Sequence, residues 1–169
     1  MDSRGFTLLE LLIYISILAI ITMVIANAFI ILNRSRGQVE AKNEVSSNLR
    51  FALEKIKREI VIASDLVTPP VRNTGSSTLE LVSANQTVRY FASSSLLFRQ
   101  VNAEAPEQIT TAKVKIDTIY FRRLENSNAV LKNKQVSVEI DLTVSYNSSS
   151  PDRLYSLSAK TAVGLLTDI

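Results

Sequence analysis

Apolar positions run without a charge from Leu11 to Leu32, and the pattern then changes rhythm twice. Only Tyr14, Ser16, Thr22 and Asn27 dilute that first stretch. As a helix rising about 1.5 Å per residue, its 22 residues span about 33 Å, enough to cross a bilayer core. Beyond Leu32 the charges begin, and the apolar positions narrow to one stripe. Val45, Leu49, Leu53, Ile56, Ile60 and Ala63 are spaced 4, 4, 3, 4 and 3, the period of an amphipathic helix. Glu54 and Arg58, and Lys55 and Glu59, stand four apart, which predicts ion pairs along the exposed face. Thr68-Pro69-Pro70 stops the pattern. The sequence therefore predicts one helix from Phe6 to about Leu66. Gly37 is its weak point, a place for bending or fraying, because Gly costs ~1 kcal/mol against Ala in a helix. The stripe could close a coiled coil, but it is short and suits packing on a sheet.

From Thr78 onward the period drops to two. Thr78 to Ser83, Thr87 to Ala92 and Ser95 to Val101 read as short strands, with Ser-Ala-Asn-Gln and Ala-Ser-Ser as turns. Lys113 to Leu124 follows the same rhythm. Val136, Val138, Ile140, Leu142, Val144 and Tyr146 alternate with polar residues, the mark of a sheet with one wet face. After a loop from Asn147 to Asp152, Tyr155 to Leu165 predicts a last strand beside the previous one. The expected fold class is α+β: a long N-terminal helix, half transmembrane and half amphipathic, packed on one antiparallel sheet of five to seven strands. The expected organisation is a leader over residues 1–5, a membrane and assembly half over 6–32, an amphipathic half over 33–68 and a β head over 69–169.

Composition removes several function classes. The chain has no histidine and no cysteine, so the commonest neutral-pH base, thiolate metal sites and disulfides are all absent. No nucleophile–base spacing and no calcium-type acidic loop emerges, and no cofactor is expected. Asp117, Glu139 and Asp141 alternate with apolar strand residues and read as wet-face carboxylates. Arg122-Arg123 reads as a solvated strand end. The net charge of +3 comes from mixed signs. DNA is left open as a partner but gains no support from so even a distribution. Asn85-Gln86-Thr87 and Asn147-Ser148-Ser149 match a glycosylation sequon, a weak signal here.

The distinctive chemistry lies at the N-terminus. Glu10 sits among apolar residues, where an ionised side chain costs ~2.5–3.5 kcal/mol at a helix centre and less near an end. It needs a partner. A cut between Gly5 and Phe6 would free an α-amine one turn from Glu10, within reach of the same chain or of a neighbouring copy. Such a pair would fix axial register in a stack of helices. Arg4-Gly5-Phe6-Thr7-Leu8-Leu9-Glu10-Leu11-Leu12 resembles the prepilin cleavage and methylation motif of the type IV pilin-like family. The resemblance implies cleavage after Gly5 by prepilin peptidase, methylation of Phe6, and assembly through Glu10. It also implies a single-pass cytoplasmic-membrane precursor with the head outside, then a filament built with other pilin or pseudopilin subunits on an inner-membrane assembly platform. Positive charges do not orient the span by themselves, because Arg4 precedes it while Arg34 and Arg36 follow it.

Other readings remain at this point. Ala26-Asn27-Ala28 resembles a signal-peptide site, although apolar residues continue past it. The span could anchor an unrelated enzyme or binding module, or Glu10 could merely snorkel. Within the family, the absence of cysteine and of a proline between Phe6 and Leu66 points away from a major pilin. The runs Tyr90-Phe91, Leu97-Phe98-Arg99, Ile119 to Leu124 and Tyr155 to Ser158 are similar to those of J-type minor pseudopilins and related minor pilins. Secretion, DNA uptake and pilus biogenesis all remain open as the process served.

Overall fold

The computed structural model describes residues 7–128 and 133–165. One helix, α1, runs uninterrupted from Leu8 to Ile62. It starts because Thr7, extended at φ −80°, lets its hydroxyl accept from the Glu10 backbone amide at 3.3 Å. The predicted stripe is its buried face: Val45, Leu49, Leu53, Ile56, Ile60 and Ala63 are all buried, joined by Ala41 and Ala52. The helix ends at Ile62, short of the expected Leu66 and of residue 68, where the amphipathic half was expected to close. The next residues are captured by the head instead. Ser64 donates its backbone amide to the Val82 carbonyl at 2.8 Å, and Asp65–Thr68 becomes strand β1.

Nine strands are present among the described residues, in two sheets rather than the single sheet expected. After β1 come β2 (Gly75–Ser76), β3 (Leu79–Ser83), β4 (Gln86–Ser93), β5 (Leu96–Val101) and β6 (Glu107–Gln108). Then follow β7 (Val114–Asn128), β8 (Asn133–Tyr146) and β9 (Ser156–Gly164). One sheet has the order β1-β3-β4-β5-β6 and the other β2-β7-β8-β9, with every pairing antiparallel. The β3–β4 and β4–β5 turns are two residues each. Ala84, Asn85, Ser94 and Ser95 all take positive φ, as such tight hairpins demand. In β7 the register shifts between Ile116 and Thr118, so Ile116 and Ile119 both face inward although they are three apart.

The helix lies mainly on β8 and β9, with its C-terminal end at β3. The inward residues of β8, from Val136 to Tyr146 in alternation, are all buried, as predicted. A backbone bond from Ile116 to the Ser95 carbonyl joins the two sheets. Asn48, buried on the helix, accepts from the Thr111 amide at 2.9 Å and so fixes the chain where it crosses between them.

Two glycines mark close approaches. Gly37 is buried against Arg153; a Cβ there would stand 3.1 Å from the guanidinium Nε. Here Gly lets a head loop touch the helix backbone, and α1 continues through it. Gly75 lies beneath the Tyr120 side chain, whose hydroxyl end occupies the space a Cβ would need. Of the predicted pairs within the helix, Lys55–Glu59 gives way to pairs with the head. Glu59 meets Arg99 at 2.7 Å, and Lys55 meets Glu107 at 3.1 Å. Lys113 reaches Glu40 and Glu44, each at 3.2 Å.

Candidate functional site

The first 25 residues of α1 form a projecting apolar rod. From Leu8 to Leu32 its large apolar side chains are 49% to 82% exposed, and none of its most apolar window is buried by the rest of the chain. Leaving this much hydrocarbon in water opposes the hydrophobic effect, so the rod must be covered by lipid or by other chains. Its Ser and Thr hydroxyls are satisfied internally. Ser16 donates to the Leu12 carbonyl at 2.7 Å and Thr22 to the Leu18 carbonyl at 2.8 Å, so neither interrupts the apolar surface.

Glu10 occupies the third position of the first turn. Thr7-x-x-Glu10 has the spacing of a capping box, a signal within the same motif that periodicity alone overlooks. One half of the box is formed, by the Thr7 hydroxyl and the Glu10 amide. The Glu10 carboxylate makes no hydrogen bond or ion pair with the described residues. Gly5 and Phe6, the expected cleavage and methylation residues, lie outside the described residues.

The head supplies charge pairs rather than a cluster of free reactive groups. Among the described residues, no group of three or more His, Cys, Asp or Glu stands close enough to hold a metal ion. Arg122 and Arg123 are not a solvated strand end. Arg122 bonds Glu139 at 2.8 Å. Arg123 meets Glu125 at 2.6 Å and donates to the Leu66 and Pro70 carbonyls at 3.0 and 3.3 Å, clamping the connection after α1. Glu139 is held by Arg122 and by Lys160 at 3.2 Å, and its side chain is only 16% exposed, so it is no freely wet carboxylate. Asp117 is exposed beside Lys115. Tyr90 is fully buried near Glu59 and Arg99; burial, then the Glu59 carboxylate, pushes its phenol well above the usual value.

Residues 1–26 match the family model of the prokaryotic N-terminal methylation motif. No curated protein and no solved structure matches the chain. The motif match, the candidate membrane helix and the helix-on-sheets layout together support a type IV pilin-like, prepilin-processed, membrane-anchored protein. The motif implies prepilin peptidase and other pilins as partners. It covers the anchor and leaves the head unassigned.

Proposed function

We propose that this chain is a non-enzymatic structural subunit, a minor pilin or pseudopilin, of a type IV pilus-like filament. Prepilin peptidase cuts between Gly5 and Phe6, and Phe6 is methylated. The subunit waits in the cytoplasmic membrane as a single span with its head outside, and an assembly platform then moves it into the filament. The observation that carries this reading is the bare rod Leu8–Leu32, tipped by a carboxylate without a partner among the described residues and overlapped by the methylation motif. Burial of the rod among neighbouring helices would drive assembly. The Phe6 amine of one copy, meeting Glu10 of the next, would fix axial register, each charge offsetting the desolvation of the other. The same features suit a major pilin, which would dominate the filament in copy number. They also suit an anchored enzyme or binding module, which would not self-assemble.

The test is Glu10→Ala, followed in membrane and sheared-filament fractions. Membrane insertion should persist, because removing a carboxylate from an apolar helix eases insertion. Incorporation should fall by at least about tenfold, since an unpaired buried amine costs several kcal/mol. Normal incorporation would remove Glu10 from the mechanism, and no assembly by the natural sequence would favour the anchored-module reading.

A further inference from the structure

The head loop that touches Gly37 sits just above the end of the apolar rod. Gly37 is five residues past Leu32, or about 7.5 Å along the helix axis. The polar layer of a bilayer is about 5–7.5 Å deep on each side of the hydrocarbon. Arg153, packed on Gly37, therefore stands at headgroup level whenever Leu11–Leu32 fills the hydrocarbon. A usual helix tilt of about 20° changes that height little.

The residues gathered at this level have a consistent chemistry. Leu154 is 70% exposed and Val39 57% exposed, both on the rim of a hollow of about 320 Å³ between α1 and the turn Pro151–Arg153. Lys42 and Arg153 line the same hollow. Arg34 projects from the helix just below it. One anion, Asp152, accompanies them and pairs with Arg34 at 3.6 Å. Glu40 is already engaged by Lys113. Three cations, Arg34, Lys42 and Arg153, thus stand against the one carboxylate of Asp152, beside two exposed aliphatic side chains. Amphipathic sites of this kind favour an anionic lipid interface: cations attract phosphate, and aliphatic groups enter the acyl boundary.

We propose that this loop–helix notch is a second membrane contact, binding anionic phospholipid headgroups and seating the head on the bilayer before assembly. The contact rests on the reading that Leu11–Leu32 spans the membrane. It would fix the rotation of the head about the rod, which a single span leaves undetermined. It would be released when the subunit leaves the membrane.

The natural chain has no tryptophan, so Leu154→Trp gives a single reporter in the full-length protein. Phe51→Trp is the control, because Phe51 is exposed on the same helix about 28 Å beyond Leu32. Both would be reconstituted in phosphatidylcholine vesicles with and without phosphatidylglycerol. With the anionic lipid, Leu154→Trp emission should shift to the blue and be quenched by brominated acyl chains several-fold more than the control. Adding Arg153→Glu should return quenching towards control. The lipid comparison needs no second substitution, so it stands even where that double variant misfolds. Control-like quenching in both lipids overturns the proposal, as does quenching indifferent to phosphatidylglycerol. A blue shift that grows with protein density without bromine quenching overturns it too, in favour of a second copy as the occupant. A chain that fails to float with vesicles after a high-salt wash contradicts the membrane span itself and so is told apart from failure of the notch.

Discussion

Glu10 stands out in the sequence because it breaks an otherwise uniform environment. A charge in a run of Leu and Ile has few explanations. Arg123, Glu59 and Asn48 were not legible in that way. Each had several candidate partners at ordinary spacings, and each also bonds a residue 40 or more positions away in sequence that no spacing points to. Glu139, read as a wet-face carboxylate and found held by Arg122 and Lys160, was not legible either, and it leads to a pH prediction. The hydrogen bond from Arg122 holds its carboxyl below the ordinary 4.5; Lys160 assists, and burial opposes. A depressed folded-state pKa adds stability above the unfolded value and loses it as pH falls through the folded one. Full-length protein in detergent should therefore unfold later than Glu139→Gln above pH 4.5. The gap should be about 1 kcal/mol, the usual net worth of one hydrogen bond, and should close as the pH falls further. Thermal unfolding across that range checks it, and a gap independent of pH would place the effect in packing.

Elements were legible where one period persisted. The stripe from Val45 to Ala63 and the alternation from Val136 to Tyr146 each describe a face that is buried as read. β1, β2 and β6 were missed because segments of two to four residues cannot display a period. The division into two sheets was hidden too, since it depends on which edges meet and not on any strand's own pattern. β2 shows how a short strand is specified by contact. Gly75 pairs with Arg122 while the neighbouring Tyr120 covers it, so a methyl group there must displace the Tyr120 ring. Gly75→Ala should destabilise the protein by about 1–3 kcal/mol, the usual cost of overpacking. Tyr120→Ala in the same chain should recover part of that loss, because Tyr120 is 44% exposed and gives up little on truncation. Denaturant unfolding of both single variants and the double variant measures the coupling; simple additivity would mean that the two side chains do not compete for the same space.

At the scale of the molecule, the two halves of α1 have separate tasks. Residues 33–62 carry the buried stripe and belong to the head, whereas the preceding rod gives none of its surface to it. A protein beginning at Asn33 should therefore be a soluble monomer by size-exclusion chromatography, because the head keeps all of its core. Persistent oligomers would assign association to the head. The rod was legible from length and apolarity alone, and its processing from the motif. The notch at Gly37 was not, because it arises only when a loop more than a hundred residues later returns to the helix.

The most direct measurement is the intact mass and N-terminal peptide of the protein isolated from cells. The account requires a chain that starts at Phe6, with a methyl group on its nitrogen. A chain that still starts at Met1, or one cut near Ala28 and stripped of its apolar rod, would contradict it.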